Sequence, residues 1–266
     1  MKKVFDKRRV CIIITLITVL LLVAWEVIGA ERILGADAEK GLVESVDIAV
    51  SRAIGSIVSL TILVYVGYRV MNPFKKPFWR SVLFCLPAFC VVVNNLPIYP
   101  LCSGLATVTA PVWRVLVLAA ECLMVGLFEE TFFRGIVFIG FLKKRRDTVL
   151  KRFLAIVFSS AVFGVVHLVN IFLGASPGAV FLQIGYSFLI GAMCSVVMMK
   201  TSNIWLCVVL HAIYNFCGAL VPDCGKGTIW EPITVTVTVI IALATLAYML
   251  VSFFKIKKEE VDRIYQ

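Results

Sequence analysis

The sequence predicts an all-α fold: a polytopic transmembrane bundle of about eight helices, with both termini on the cytoplasmic side. Three observations lead there. The 266 residues are 61% hydrophobic and 16% charged, a composition outside the range of soluble domains. The apolar residues fall in windows of roughly 20, the length that crosses a hydrocarbon core of about 30 Å. Lysines and arginines gather at alternate connections between those windows.

The windows, bounded by charges or Pro/Gly turns, run at about 10–30, 49–71, 81–96, 111–142, 153–173, 179–199, 203–221 and 233–254. The first follows the basic start "MKKVFDKRR", but its apolar core exceeds the roughly 7–15 residues of a signal peptide, so it reads as a retained helix. "NNLPIYP" at 94–100 cuts the third window short, and a count of seven helices also fits. With the N-terminus inside, the inner segments collect the basic residues at 2–9, 69–80, 143–152 and 255–263, together with Lys200. The formal charge of +10 is then a topology signal whose natural partner is anionic lipid headgroups, and nucleic acid is not needed to explain it.

Nine cysteines lie scattered, without C-x-x-C or zinc-finger spacing, and read as small core residues. Cys102 and Cys224 both fall in expected outer loops, where a disulfide would be allowed. The tail "KKEEVDRIYQ" has no prenylation box and reads as a solvated end. No tandem repeat, soluble domain or linker interrupts residues 1–266, which form a single integral membrane domain.

Ionisable side chains in hydrocarbon cost several kcal/mol, so each must face the bundle interior, pair, or snorkel to an interface. Glu26, Arg52 and Arg114 lie near expected helix ends, where snorkelling accounts for them. Glu121 lies deeper and has no assigned partner. Glu130 and Arg134, four apart, can pair on one helix, which leaves Glu129 about 100° around it, needing a proton, a metal or polar groups from another helix. The two histidines are both mid-helix: His167, with Asn170 on its face, and His211, with Asn215 on its own. At 1.5 Å per residue, Glu129 is about 21 Å from Lys143, His167 about 22 Å from Arg152 and His211 about 16 Å from Lys200, so all three can share one layer.

A carboxylate, two imidazoles and a carboxamide in a low-dielectric pocket are the parts needed to activate water and hold an oxyanion. Taken singly, Asn215 and Arg134 read as interhelical glue, and only the coincidence of depth turns the set toward function.

These residues also carry a resemblance. "EETFFR" (Glu129 to Arg134), "FGVVH" (Phe163 to His167) and "HAIYN" (His211 to Asn215) match in order the E-E-x-x-x-R, F-x-x-x-H and H-x-x-x-N motifs of the CPBP intramembrane proteases. That family joins type II CAAX prenyl endopeptidases to bacteriocin-processing and immunity (Abi) proteins. The motif core lies within 111–221, whereas residues 1 to about 75 match only as generic membrane helices. The resemblance implies that Glu129 is the principal base for the attacking water, assisted by His167. It implies that His211 and Asn215 steady the oxyanion, that Glu130 and Arg134 hold the helix, and that Phe163 packs beside the pocket. The family is described both as metal-dependent and as metal-free. With no H-E-x-x-H present, a divalent metal such as zinc on Glu129, His167 and His211 stays open.

Three functions follow as expectations. The first is an intramembrane endopeptidase acting on a membrane-associated peptide or protein, reached from the cytoplasm. The compact chain without a targeting tail leans toward a bacterial plasma membrane. The second is a non-catalytic immunity or regulatory partner that uses the buried charges to hold its bundle, with "KKRRDTVLKR" at 143–152 as a docking surface. The third is a proton-coupled carrier, against which stands the lack of an evident inverted repeat or matched broken helices.

Overall fold

The computed structural model describes residues 7–67, 69–72 and 78–265; the side chains of residues 7–9, 11, 15, 26 and 69 lie outside that description, and with them the expected snorkelling of Glu26. Its long helices are α1 (Lys7–Leu34), α2 (Lys40–Val66), α3 (Phe78–Asn94), α5 (Val112–Glu129), α7 (Val149–Val166), α9 (Pro177–Thr201), α10 (Ile204–Cys224) and α11 (Pro232–Lys255). Short helices α4 (Ile98–Ser103), α6 (Ile139–Lys143), α8 (Val169–Phe172) and α12 (Lys258–Asp262) punctuate them. Between α5 and α6 the chain continues as a π-helical segment, Glu130–Phe138.

Among the described residues, five helices are long and apolar enough to cross a membrane, and a sixth span is completed if Ile12–Trp25 and Val27–Leu34, which meet at 43°, count as one. The two expected spans missing from this tally have identifiable reasons. Helix α3 is shorter, ending at Asn94, whose amide donates to Thr238 (2.9 Å), while Asn95 donates to the Tyr214 carbonyl (2.8 Å). The 112–143 stretch carries the charges of the site and changes helical type midway. The chain is an integral, multi-pass, all-α membrane protein. The second span begins earlier than its apolar window, at Lys40, so Arg52 stands mid-helix rather than near an end, with its guanidinium over the Phe128 ring (5.6 Å).

Local chemistry sets the helix starts. Thr148, Ser176, Asn203 and Glu231 accept backbone N–H groups at the N-termini of α7, α9, α10 and α11, and Pro177 and Pro232 occupy first-turn positions that need no donor. Helices α9 and α10 are the most buried of the spans and form the centre, while α2 and α11 turn most of their apolar surface outward, where lipid would cover it. One pairing was not legible in the sequence: β1 (Ala106–Val108) and β2 (Gly225–Gly227) join antiparallel, with Ala106 opposite Gly227, and clip the connection after α4 to the one after α10. Cys102 and Cys224 flank this clip, but both are free thiols, Cys102 exposed and Cys224 buried against Leu118 and Cys122, so the allowed disulfide is not formed.

The C-terminal segment departs most from expectation. Instead of a solvated end it is a strap across the basic end of the bundle, with Val261 and Ile264 fully buried. Arg146 pairs with Asp262 (2.9 Å), Lys200 with Glu260 (3.0 Å), Arg152 donates to the Ile256 carbonyl (2.7 Å), and the Tyr265 hydroxyl donates to the Ile139 carbonyl (3.0 Å). Mixed charge, which suggested solvation, here matches the basic loops above it.

Candidate active site

The site begins where α5 becomes π-helical. Glu129 closes α5 and Glu130 opens the wider segment, a helical form that recurs at functional sites because its extra residue per turn re-aims side chains. Thr131 ties this segment to α2 through the Ser59 hydroxyl. Helix α10 approaches closely because Gly126 has no side chain: a Cβ there would meet the Ala212 nitrogen and the Val208 carbonyl at 3.0 Å. That contact brings both glutamates to His211.

His211 is held at both ring nitrogens. Its Nδ1 lies 2.7 Å from Glu130 Oε1 and its Nε2 3.5 Å from Glu129 Oε2. A carboxylate only accepts, so the shorter contact puts a proton on Nδ1 and leaves Nε2 facing Glu129. Glu130 also pairs with Arg134 Nε at 3.1 Å, and that pair is essentially fully buried. Glu129, by contrast, keeps 14% of its side chain exposed and lines a cavity of about 100 Å³. Of the two glutamates, only Glu129 can meet a substrate or a water there.

Phe163 is the wedge of the site. It is buried, with Arg134 Cζ 4.2 Å from its ring centroid and the rings of His167 and His211 edge-on at 5.2 and 5.8 Å. The face of the aromatic ring thus receives the guanidinium, and its packing spaces the imidazoles. His167 caps the end of α7, and its Nδ1 donates to the Phe163 carbonyl (2.9 Å), so Nε2 is the free acceptor. Asn215 lines the cavity one turn beyond His211. Asn170 does not join it but donates to Gln183 of α9 (2.8 Å).

Helix α9 contributes a wall that was not anticipated: Gln183, Tyr186, Ser187 and Ile190 line the cavity. Their spacing is a helical stripe, and three polar members of it in an otherwise apolar run were the available signal. Glu121 bonds the Ser45 side chain, and Arg114 is buried, donating to the Gly41 carbonyl (2.8 Å) rather than snorkelling.

The ligand atoms of Glu129, His167 and His211 do not all lie within 4.8 Å of one another in this arrangement, although Nε2 of each histidine is directed away from its Nδ1 partner. Among the described residues, the group that does gather is Glu130, Cys194 and Cys207, and its carboxylate already serves Arg134 and His211.

Comparison with known proteins adds a family. Residues 111–217 match the profile described as Type II CAAX prenyl endopeptidase Rce1-like, and this span contains Glu129, Glu130, Arg134, Phe163, His167, His211 and Asn215. No curated protein and no solved structure matches the chain. Over residues 111–217, therefore, the chain is similar to type II CAAX prenyl endopeptidases, a likeness consistent with the CPBP/CAAX proteases.

Proposed function

We propose that the protein is an intramembrane endopeptidase that hydrolyses a peptide bond in a membrane-associated peptide or protein, with Glu129 as the base for the attacking water. The observation that carries this reading is the clamped His211: Glu130 holds one nitrogen and the other faces the single glutamate that reaches the cavity. Water between Glu129 and the His167 Nε2 gives its proton to Glu129 as its oxygen bonds the substrate carbonyl carbon. The carbonyl oxygen becomes negative, and the Asn215 amide donates to it beside the His211 ring that Glu130 holds in place. Glu129 then passes its proton to the departing amine, the C–N bond breaks, and the carboxyl product leaves. The buried Glu130–Arg134 pair fixes the His211 ring, a role for which a carboxylate sealed from solvent is suited.

The substrate we infer is a peptide leader or a membrane-anchored protein; processing of bacteriocin-like peptides is one form of that chemistry. Cleavage of such peptides by purified wild type and Glu129→Gln, with products identified by mass spectrometry, tests the reading. Equal processing by both, or biological activity undiminished in the variant, would favour an immunity or regulatory partner that only binds.

A further inference from the structure

A second cavity, of about 360 Å³, lies at the basic end of the bundle and shares no lining residue with the one that Glu129 enters. Its size falls in the usual range of ligand pockets, about 300–1,000 Å³. Three elements meet there. Helix α3 supplies Arg80, Ser81 and Phe84, the last turn of α9 supplies Lys200, and the C-terminal strap supplies Glu260 and Arg263. Helix α11 fixes the Phe84 side: the Tyr248 hydroxyl donates to the Phe84 carbonyl (3.1 Å), and the two rings lie 5.7 Å apart.

The charges on this wall do not cancel. Among the described residues it carries three cations and one carboxylate, Glu260. That carboxylate is engaged already, by Lys200 at 3.0 Å and by the Lys257 backbone N–H at 3.2 Å. Arg80 and Arg263 are both exposed, and neither has an ion pair among the described residues. Two guanidiniums on one cavity repel each other, and an anion between them relieves the repulsion. A guanidinium presents a planar fork of N–H donors that matches two phosphate oxygens, which makes phosphate the best suited anion.

The surroundings are those of a lipid headgroup. Arg80 stands in the first turn of α3 and Lys200 in the last turn of α9, so the cavity lies where both helices leave the hydrocarbon. Trp79, 73% exposed, is next to Arg80, at the level where aromatic rings gather at membrane interfaces, and Leu83 and Leu86 are exposed farther along the same helix. Phe84 lies one turn deeper than Arg80 on the same face. A ligand that is anionic at one end and apolar at the other matches this wall better than a free anion does.

We infer that this cavity binds the phosphate of an anionic membrane lipid between Arg80 of α3 and Arg263 of the strap, with the apolar part of the lipid against Phe84. The strap is fastened to α9 by Lys200 and Glu260, and to the 143–152 connection by Arg146 and Asp262. A phosphate in the cavity adds a tie to α3, so the lipid helps to keep the C-terminal segment on the bundle. The inference is independent of the chemistry proposed for Glu129.

The test uses full-length protein purified in detergent and titrated with phosphatidylglycerol, phosphatidylcholine or inorganic phosphate, with the bound fraction read by native mass spectrometry. Phosphatidylglycerol is expected to bind in preference to the zwitterionic lipid. Arg80→Gln and Arg263→Gln should each weaken it about ten-fold or more, the loss of one hydrogen bond to a charged group. Lys144→Gln removes the same charge from the same end but outside the cavity, and should leave binding unchanged. Both arginines are exposed and without an ion pair among the described residues, so the variants should fold, which thermal unfolding checks. Equal binding of the two lipids, or an equal loss in Lys144→Gln, overturns the site in favour of diffuse surface attraction. Inorganic phosphate bound as tightly as phosphatidylglycerol overturns the lipid assignment. Phosphatidylglycerol should also slow proteolysis of the C-terminus in wild type but not in Arg80→Gln, and equal protection of both overturns the tie to α3.

Discussion

Glu130 grips His211 Nδ1 at 2.7 Å and pairs with Arg134, so that a carboxylate and a guanidinium sealed from solvent hold an imidazole that lines the cavity. The neighbouring Glu129 reaches the same imidazole from the open side. One residue of separation at the start of a π-helical segment thus divides two identical side chains into a holder and a candidate base.

Glu129→Gln should fold and insert normally while cleavage falls by roughly 10²–10⁴, the usual contribution of a positioned general base. Thermal unfolding of the purified variant in detergent and product quantification by mass spectrometry check the two halves. An unchanged rate removes Glu129 from the chemistry.

Glu130→Gln or Arg134→Gln should each destabilise the protein by about 3–5 kcal/mol, because each leaves a fully buried charge without its partner. The double variant should lose less than the sum of the two, since no unpaired charge remains. A double-mutant cycle on equilibrium unfolding reads the difference, and strict additivity would mean that the pair is not coupled.

Gly191→Ala puts a methyl group 2.8 Å from Arg134 Nη2 and 3.3 Å from the Phe163 ring. Overpacking of about 1–3 kcal/mol is expected, together with a reduced cleavage rate as the guanidinium and the aromatic wedge are displaced. A rate equal to wild type would show that the wedge does not set the imidazole positions.

Ile264→Ala removes a fully buried side chain from the strap and should cost about 2–5 kcal/mol, whereas a solvated tail would tolerate it within about 0.5 kcal/mol. Limited proteolysis of the C-terminus, alongside thermal unfolding, distinguishes a loosened strap from a global effect.

Cleavage should persist after exhaustive dialysis against a chelator, because the ligand atoms of Glu129, His167 and His211 do not converge on one point. Activity lost on dialysis and regained with zinc, with stoichiometric metal in the active sample, would restore the three-ligand site.

The membrane bundle was legible because hydrocarbon imposes a length and a composition on every span, and the apolar windows between 111 and 254 lie within a few residues of the helices that fill them. Arg52 shows the limit of the same reasoning. Its distance from an apolar window edge said nothing about where a helix starting at Lys40 would carry it, or that Phe128 would lie beneath it. The tail misled for a related reason: alternating charge reads as solvated until the basic partners that receive it, Arg146 and Lys200, are known to lie opposite.

By itself the sequence determined that the chain is helical and membrane-embedded, and it singled out Glu129, Glu130, Arg134, His167, His211 and Asn215 as residues too costly in lipid, or too regularly spaced, to be incidental, while Phe163 entered only through the resemblance of its motif. Only the tertiary structure decided which glutamate is sealed and which is open, that both reach one imidazole, and that α9 supplies the remaining wall with Gln183, Tyr186 and Ser187. The physical reason is that burial cost is a property of residue and solvent, readable along the chain. The pairing that offsets it depends on which helices approach closely, and at Gly126 that is set by a side chain that is absent.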